Sequence, residues 1–164
     1  MRTLAVIIMN KTTSILIGLL ASVFSMSGQN PIATSRINQG DTVILFTRYI
    51  DCGEWGGHHE KVKIYKANGQ VWLRYSKDTV SCENDDPDQF RRQITDLKKR
   101  INSNHLKQVD RYIKNIYKKS KEERYPCSNA FRVFRIEAKG DEVEFADSCT
   151  NWDDFLTLCK KLLQ

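Results

Sequence analysis

Alternation of apolar and polar residues predicts a β-hairpin in the first half of the chain. Residues 61–66 and 71–75 both alternate, and they flank Asn68-Gly69, a dipeptide typical of a two-residue turn. This turn sorts the apolar side chains onto one face, whereas a slip of one residue would scatter them. The predicted facing pairs are Ile64–Leu73, Val62–Tyr75, Tyr65–Trp72, Lys63–Arg74 and Glu60–Lys77. We expect the like-charged pair Lys63–Arg74 to repel.

The same pattern predicts a second hairpin and one further strand. Residues 131–137 and 142–147 flank Lys139-Gly140, and residues 42–50 are rich in β-branched and aromatic side chains. The facing pairs predicted for the second hairpin are Ile136–Val143, Phe134–Phe145 and Arg135–Glu144.

Apolar residues at helical spacing predict three helices. The first begins at Asp86-Pro87, a natural cap and first helical residue, and carries Phe90, Ile94, Leu97 and Ile101. The second follows a break at Asn102 and Ser103 and carries Leu106, Val109, Ile113, Ile116 and Tyr117. The third, capped by Thr150 or Asn151, carries Trp152, Phe155, Leu156, Cys159, Leu162 and Leu163. The predicted fold is therefore α+β, with antiparallel hairpins in the order β-β-β-α-α-β-β-α packed against helices in two layers.

The N-terminus has the pattern of a secretory signal peptide. An apolar run of 12 residues, 15–26, follows Lys11 and precedes Ser27 and Gly28, and it is short of the roughly 20 residues that span a bilayer. We predict a signal peptide at residues 1–27 with cleavage before Gly28, and we take Met9 as the true start. The alternative is an uncleaved anchor over residues 4–26, which would place Lys11 within the bilayer.

After cleavage, the chain is expected to consist of a flexible leader, residues 28–40, and one α+β domain, residues 41–164. The predicted location is secreted or periplasmic, and the processed protein is not expected to be an integral membrane protein. The formal charge of the full chain is only +6, which by itself favours no class of partner.

The five cysteines lie in the exported part of the chain, where disulfides persist. Cys52 and Cys82 lie at the same open end of the first hairpin, and Cys127 and Cys149 at that of the second. We therefore predict the disulfides Cys52–Cys82 and Cys127–Cys149, with Cys159 as a buried thiol. Zinc is the competing interpretation, but CxxC and HxxxH spacings are missing, so we predict no metal and no cofactor.

The most distinctive segment is the loop at residues 51–60, which combines acids, histidines, a tryptophan and glycines. The candidate ligand-binding residues are Asp51, Glu54, Trp55, His58, His59 and Glu60. Adjacent histidines on an extended chain point to opposite sides, so we do not expect His58 and His59 to chelate one ion. The alternative is a purely structural loop, in which the glycines turn the chain and Trp55 covers the edge of the sheet.

A basic stripe follows the second predicted helix at spacings of four and three residues. Its members are Lys107, Arg111, Lys114, Lys118 and Lys121. Such a row can contact a polyanion weakly, or it can be an ordinary solvated face. We expect no nucleic-acid partner, because export removes most such partners and because aromatic residues do not interleave with the stripe. Tyr65 and Trp72, on the other face of the first hairpin, form either a binding platform or a covered surface.

Together these patterns favour an exported, non-catalytic binding or interaction module whose partner is an unknown protein or an envelope or extracellular ligand. One alternative is a secreted hydrolase that uses His58 or His59 with Asp51 or Glu60. Another is a secreted inhibitor, a role that small disulfide-bonded domains often have.

Overall fold

The computed structural model describes Thr34 and residues 37–53, 57–83, 91–122, 132–147 and 153–164. The predicted signal peptide, Glu54, Trp55 and the predicted disulfide between Cys127 and Cys149 lie outside these residues. So do Asp86, Pro87 and the cap candidates Thr150 and Asn151. Within the described part, no helix has the length and apolar character needed to cross a bilayer.

The described residues form six strands and two helices, in an α+β fold with a large share of sheet. In chain order the elements are β1 Thr42–Arg48, β2 His59–Ala67, β3 Gln70–Thr79, β4 Arg92–Arg100, α1 Ser103–Ser120, β5 Arg132–Ala138, β6 Asp141–Asp147 and α2 Asp154–Leu163. All strands belong to one sheet in the order β4-β3-β2-β1-β5-β6. Every neighbouring pair is antiparallel.

Both predicted hairpins are confirmed in their registers. Ile64 faces Leu73 and Tyr65 faces Trp72 in the first hairpin, and Phe134 faces Phe145 in the second. Each two-residue turn has two positive φ angles, 52° and 72° at Asn68-Gly69 and 53° and 87° at Lys139-Gly140. Such turns match the twist of the strands that they join, so local sequence determines both pairings.

The first predicted helix is wrong, because residues 92–100 form strand β4 against β3. Ile94 is 54% exposed and Leu97 is 40% exposed, so their helical spacing marks no buried stripe. Helix propensity is a weak preference that tertiary contacts override, and here β3 offers a full edge of main-chain hydrogen bonds. Pairing also relieves the predicted repulsion, since Arg74 forms a two-point ion pair with Asp96 of β4.

Helix α1 begins with a reciprocal cap at Asn102. The Asn102 side chain accepts hydrogen bonds from the main-chain N–H groups of Asn104 and His105, while His105 Nδ1 accepts one from the Asn102 N–H. This capping box satisfies main-chain donors that the first turn of a helix leaves unpaired. The apolar stripe predicted for this helix is confirmed at Val109, Ile113 and Ile116, which are fully buried.

Helix α2 begins later than predicted, after an N-cap at Asp153. The prediction that Leu156 belongs to its buried stripe is wrong, because Leu156 is 39% exposed and Leu158 is buried instead. Cys159 is a buried free thiol, as predicted.

The hydrophobic core joins one face of the sheet to both helices. Alternate strand residues point into it, among them Leu45, Ile64 and Leu73, and they share it with Ile113 and Phe155 from the helices. We call this the core face of the sheet. The opposite side, here called the outer face, carries the intervening residues of each strand, which are partly or fully exposed: Phe46, His59, Lys61, Lys63, Tyr65, Trp72, Arg74, Ser76 and Lys98.

One residue of the predicted leader is fastened to α1. Thr34 is 1% exposed; its N–H and its hydroxyl both donate to Asp110 Oδ1, each at 2.6 Å.

Candidate functional site

The loop predicted as the candidate site is joined to the end of β3 by a disulfide. Cys52 and Cys82 are bonded, with their Cα atoms 5.2 Å apart, which confirms the predicted pair. The bond closes a loop that contains the whole first hairpin. It therefore fixes the end of the sheet at which the acids and histidines of residues 51–60 gather.

A glycine is required where this loop returns to the sheet. A Cβ atom on Gly57 would lie 2.5 Å from both the Tyr49 carbonyl oxygen and the Asp51 main-chain nitrogen. The Tyr49 N–H donates to the His58 carbonyl at 2.9 Å. The two backbone segments thus run in close contact, and this contact brings Asp51 to His58.

His58 lies between two carboxylates on the core side of the sheet. Its Nδ1 contacts Asp51 Oδ2, and its Nε2 lies 3.3 Å from Glu60 Oε1. The ring of Tyr49 stacks on the imidazole, with 4.2 Å between centroids. Glu60 is 3% exposed and also accepts a hydrogen bond from Lys77 Nζ at 2.9 Å. We call Asp51, His58, Glu60 and Lys77 the inner cluster.

The carboxylates of the inner cluster favour the protonated form of His58. Burial lowers the pKa of His58, but the carboxylates of Glu60 and Asp51 raise it more, so that the net shift is upward. Burial likewise raises the pKa of Glu60, but hydrogen bonds from His58 and Lys77, with a weaker one from Tyr75, bring it below its ordinary value. Because an ionised carboxylate only accepts hydrogen bonds, both ring nitrogens of His58 must donate. Neither nitrogen is then free to take a proton from a substrate.

These shifts predict a maximum in stability at mildly acidic pH. Because the pKa of His58 is raised in the folded state, the protonated histidine stabilises the fold below pH 6.5, its ordinary pKa. This stabilisation is lost as pH rises through the folded-state pKa. Because the pKa of Glu60 is lowered in the folded state, the ionised carboxylate stabilises the fold above pH 4.5, its ordinary pKa. This stabilisation is lost as pH falls through the folded-state pKa. Urea unfolding across this range is expected to give the largest free energy of unfolding between these two values. In His58→Phe the decline above pH 6.5 should flatten, and an unchanged decline would contradict this assignment.

His59 is placed on the outer face, away from His58. Its N–H donates to Asp78 Oδ1 at 2.6 Å, and its ring lies edge-on to Phe46 at 4.8 Å between centroids. Arg91 donates to the same Asp78 oxygen at 2.9 Å. The two adjacent histidines therefore belong to different environments, one inside and one on the open surface. The described part of the chain contains no group of three ligating side chains placed to hold a metal ion.

Two adjoining depressions cross the outer face beside His59. One of about 330 Å³ is lined by Phe46, His59, Lys61, Ser76, Lys77, Asp78, Arg91 and Gln93. The other, about 250 Å³, is lined by Lys61, Lys63, Arg74, Ser76 and Gln93. Because they share Lys61, Ser76 and Gln93, they form one surface, which we call the basic groove. Neither Lys61 nor Lys63 has a carboxylate partner among the residues described.

Aromatic rings continue the basic groove toward the turn of the first hairpin. The ammonium group of Lys98 lies 4.7 Å from the centroid of Trp72 and 5.9 Å from that of Tyr65, and Lys63 lies 5.8 Å from Tyr65. Cations and rings therefore alternate on this face.

The structure divides the residues that the sequence singled out. Asp51, His58 and Glu60 meet in the inner cluster, and His59 lines the basic groove. The basic stripe, Lys107, Arg111, Lys114, Lys118 and Lys121, is exposed along α1 and at its C-cap. Arg111 also lines a small cavity of about 110 Å³ between α1 and α2, with Asp154 and Lys161. The stripe shares no residue with the basic groove.

Of the residues that line the groove, the candidate site predicted from sequence contained only His59. Arg91, Gln93 and Asp78 come together only because β4 pairs with β3, and the sequence predicted a helix there. The only signal for a strand was the β-branched pair Ile94-Thr95.

Comparison with known proteins adds no relative to these observations: no protein-family model matches the chain, and a search of curated proteins gave no significant match.

Proposed function

We propose that this protein is an exported, non-catalytic binding module whose outer face holds an acidic polysaccharide. The observation that carries the proposal is the basic groove, where Lys61 and Lys63 project beside Arg74 and Arg91 in two adjoining depressions. A groove of this kind suits an extended ligand with repeated negative groups, since cations in a row add their fields along one line.

The partners of the two arginines define which groups are available to a ligand. Arg74 pairs with Asp96, and Arg91 pairs with Asp78. Each ion pair is neutral overall, so the two arginines line the groove but add little to its net positive charge. Lys61 and Lys63 are both exposed, and they supply the net positive charge. Ser76, opposite Lys61 on β3, and Gln93 of β4 line both depressions. They offer hydroxyl and amide groups, which suit the hydroxyl groups of a sugar.

The rings at the end of the groove favour a polymer with flat or partly apolar units. Tyr65 and Trp72 are half-buried, so each presents part of its surface at the outer face. Sugar rings and nucleobases both pack on such side chains. We favour an acidic polysaccharide because export, which the N-terminal sequence predicts, removes most nucleic-acid partners.

The inner cluster supports a structural role and not the hydrolase alternative. Both ring nitrogens of His58 lie against carboxylates, those of buried Glu60 and exposed Asp51, so neither nitrogen is placed to serve as a general base. Cys159, the free thiol among the described residues, has a pKa raised by burial, which keeps it un-ionised and unreactive. Among the residues described, no contact particularly favours an inhibitory role.

A charge-reversal experiment tests the proposal. Lys61→Glu/Lys63→Glu is compared with Lys114→Glu/Lys118→Glu, which reverses the same number of charges on the basic stripe. Retention of the exported protein on heparin and on single-stranded DNA is measured at physiological salt. Two lost contacts at about 1 kcal/mol each predict at least roughly tenfold weaker heparin binding for the groove variant. The stripe variant should bind like the wild type.

Three outcomes would contradict the proposal. Equal loss of heparin binding in both variants would indicate a general effect of net charge. Loss in the stripe variant alone would place the contact on α1. Tighter binding to DNA than to heparin would identify a nucleic acid as the ligand.

A further inference from the structure

Both edges of the six-stranded sheet are unpaired within the described residues. The strand order places β4 at one edge and β6 at the other, and each pairs with a single neighbour. An edge strand presents main-chain N–H and C=O groups that can pair with another strand.

The two edges carry opposite charge. Strand β4 has four basic residues and one acid, Asp96; the basic residues are Arg92, Lys98, Lys99 and Arg100. Strand β6 has no basic residue and four acids: Asp141, Glu142, Glu144 and Asp147. On β6 the acids other than Asp147 are exposed. Arg135 lies within 4 Å of Glu137, Glu142 and Glu144, so one guanidinium is shared by three carboxylates. The excess of negative charge at this edge therefore remains.

The geometry points to head-to-tail association of this chain with itself, in which β4 of one copy pairs with β6 of the next. Every neighbouring pair of the six strands is antiparallel, so the first and last strands of the sheet run in opposite directions. A second copy in the same orientation thus brings its β4 antiparallel to β6, with both core faces on the same side. The sheet then continues across the contact.

The main-chain groups available at each edge follow from the two hairpin turns. Residues that flank a two-residue turn form a hydrogen-bonded pair, and bonded and non-bonded pairs then alternate along the ladder. In the second hairpin this leaves the N–H and C=O groups of Glu142, Glu144 and Ala146 directed to the open edge.

In the first hairpin the same alternation starts at the Ala67–Gln70 pair and continues across β3 to β4. It leaves the main-chain N–H and C=O groups of Asp96, Lys98 and Arg100 directed to the open edge of β4. A bond from the Ile101 N–H to the Val71 carbonyl at 3.0 Å agrees with this phase.

One register satisfies both the main chain and the side chains. When Lys98 lies opposite Glu144, Arg100 lies opposite Glu142, and all four belong to residues whose main-chain groups are available. Their side chains also share the outer face. On the core face this register puts Leu97, which is 40% exposed, opposite Phe145. Pairing β6 with β6 would instead place acids opposite acids, and a two-fold β4 contact centred on Lys98 would place that residue opposite itself.

The contact is heterologous, because the two surfaces that meet are different. Association of this kind repeats from copy to copy, so it builds rings or open chains and not a closed dimer. Since the outer faces would lie side by side, the assembly would present a row of basic grooves.

Two double variants test the inference by sedimentation velocity over a range of protein concentrations. Lys98→Glu/Arg100→Glu makes both edges acidic, and Glu142→Lys/Glu144→Lys makes both edges basic. We expect the wild-type protein to form species larger than a dimer as concentration rises. Each variant alone should need about tenfold more protein to associate. An equimolar mixture should regain the association, because acidic β4 then meets basic β6 and basic β4 meets acidic β6.

The control is Lys114→Glu/Lys118→Glu on α1, which should associate like the wild type. Circular dichroism of each variant verifies that the fold is retained. A wild-type protein that remains monomeric would overturn the inference and indicate that the charged edges keep copies apart. A dimer that does not grow, or a mixture that fails to regain association, would overturn it equally. Loss of heparin binding by the groove variant is independent of all these outcomes.

Discussion

Replacing Glu60 with alanine is expected to lower the free energy of unfolding by about 3 kcal/mol. Glu60 is 3% exposed and pairs with both His58 and Lys77. Without its carboxylate, a largely buried imidazole and an ammonium group lose their shared partner. We expect a value at the lower end of the range for broken buried ion pairs, because the Lys77 side chain is 34% exposed and its ammonium group can be hydrated instead.

A second variant separates charge from packing at this position. Glu60→Gln keeps the size of the side chain and an acceptor oxygen, so it should lower the free energy of unfolding less than Glu60→Ala does. Because it removes the negative charge beside the imidazole, it should still lower the pKa of His58 relative to the wild type. Glu137→Ala is the matched control, because Glu137 lies on β5 with a side chain that is 40% exposed. Urea unfolding of the three variants, with NMR titration of His58, measures both effects. Equal stability of Glu60→Ala and Glu137→Ala would show that the inner cluster does not stabilise the fold.

Removal of the Cys52–Cys82 disulfide should have an effect of similar size. The bond joins residues 30 positions apart, and loop-closure entropy for a loop of that length corresponds to about 3–4 kcal/mol. We therefore expect Cys52→Ala/Cys82→Ala to unfold at a clearly lower urea concentration than the wild type. The fold should survive at low temperature, because the buried core that joins the sheet to both helices is unchanged in this variant.

Reduction provides the control for this variant. Dithiothreitol should destabilise the wild type more than Cys52→Ala/Cys82→Ala, since only the wild type has this bond to lose. Cys159 should stay unreactive in both proteins until they unfold, because it is buried. If the double variant were as stable as the wild type, the bond would not constrain the unfolded chain as we suppose.

Local patterns predicted the two hairpins and the two helices of the described part, but residues 92–100, predicted as a helix, form a strand. The two hairpins were predicted residue by residue because a two-residue turn and the alternation of side chains specify a register over a short range. The break before helix α1 at Asn102 and the apolar stripe from Val109 to Ile116 were predicted from equally local patterns.

Strand β4 was mispredicted because its stability comes from β3 and not from its own sequence. The spacing of Ile94 and Leu97 fits a helix, but neither residue is buried in the structure. The exchange of Leu158 for Leu156 has a different cause, because the sequence pattern already contained it. Leu158 follows Phe155 at the i, i+3 spacing of one helix face, whereas Leu156 lies about 100° around the helix from Phe155 and is exposed.

The candidate site could be predicted only in part. Neighbours in sequence, such as Asp51, His58 and Glu60, were identified together, and the structure brings them into contact. The basic groove was missed because it joins Lys61 and Lys63 of β2 to Arg74 of β3 and to Arg91 and Gln93 at the start of β4. Only the pairing of β3 with β4 creates that surface.

The central position of β1 in the sheet bears on the order of folding. Strand β1 pairs with β2 through a short connection, but its other neighbour is β5, and Val43 pairs with Ala138, 95 positions later. Strands β1–β4 can thus assemble while one side of β1 is still open, and the sheet is complete only when the second hairpin docks there. Distant pairings of this kind are slow to form. We therefore expect docking of β5 to limit the folding rate. Substitutions at Leu45 or Ile136 should slow folding, and the more fully the β1–β5 contact is formed in the transition state, the larger this effect should be.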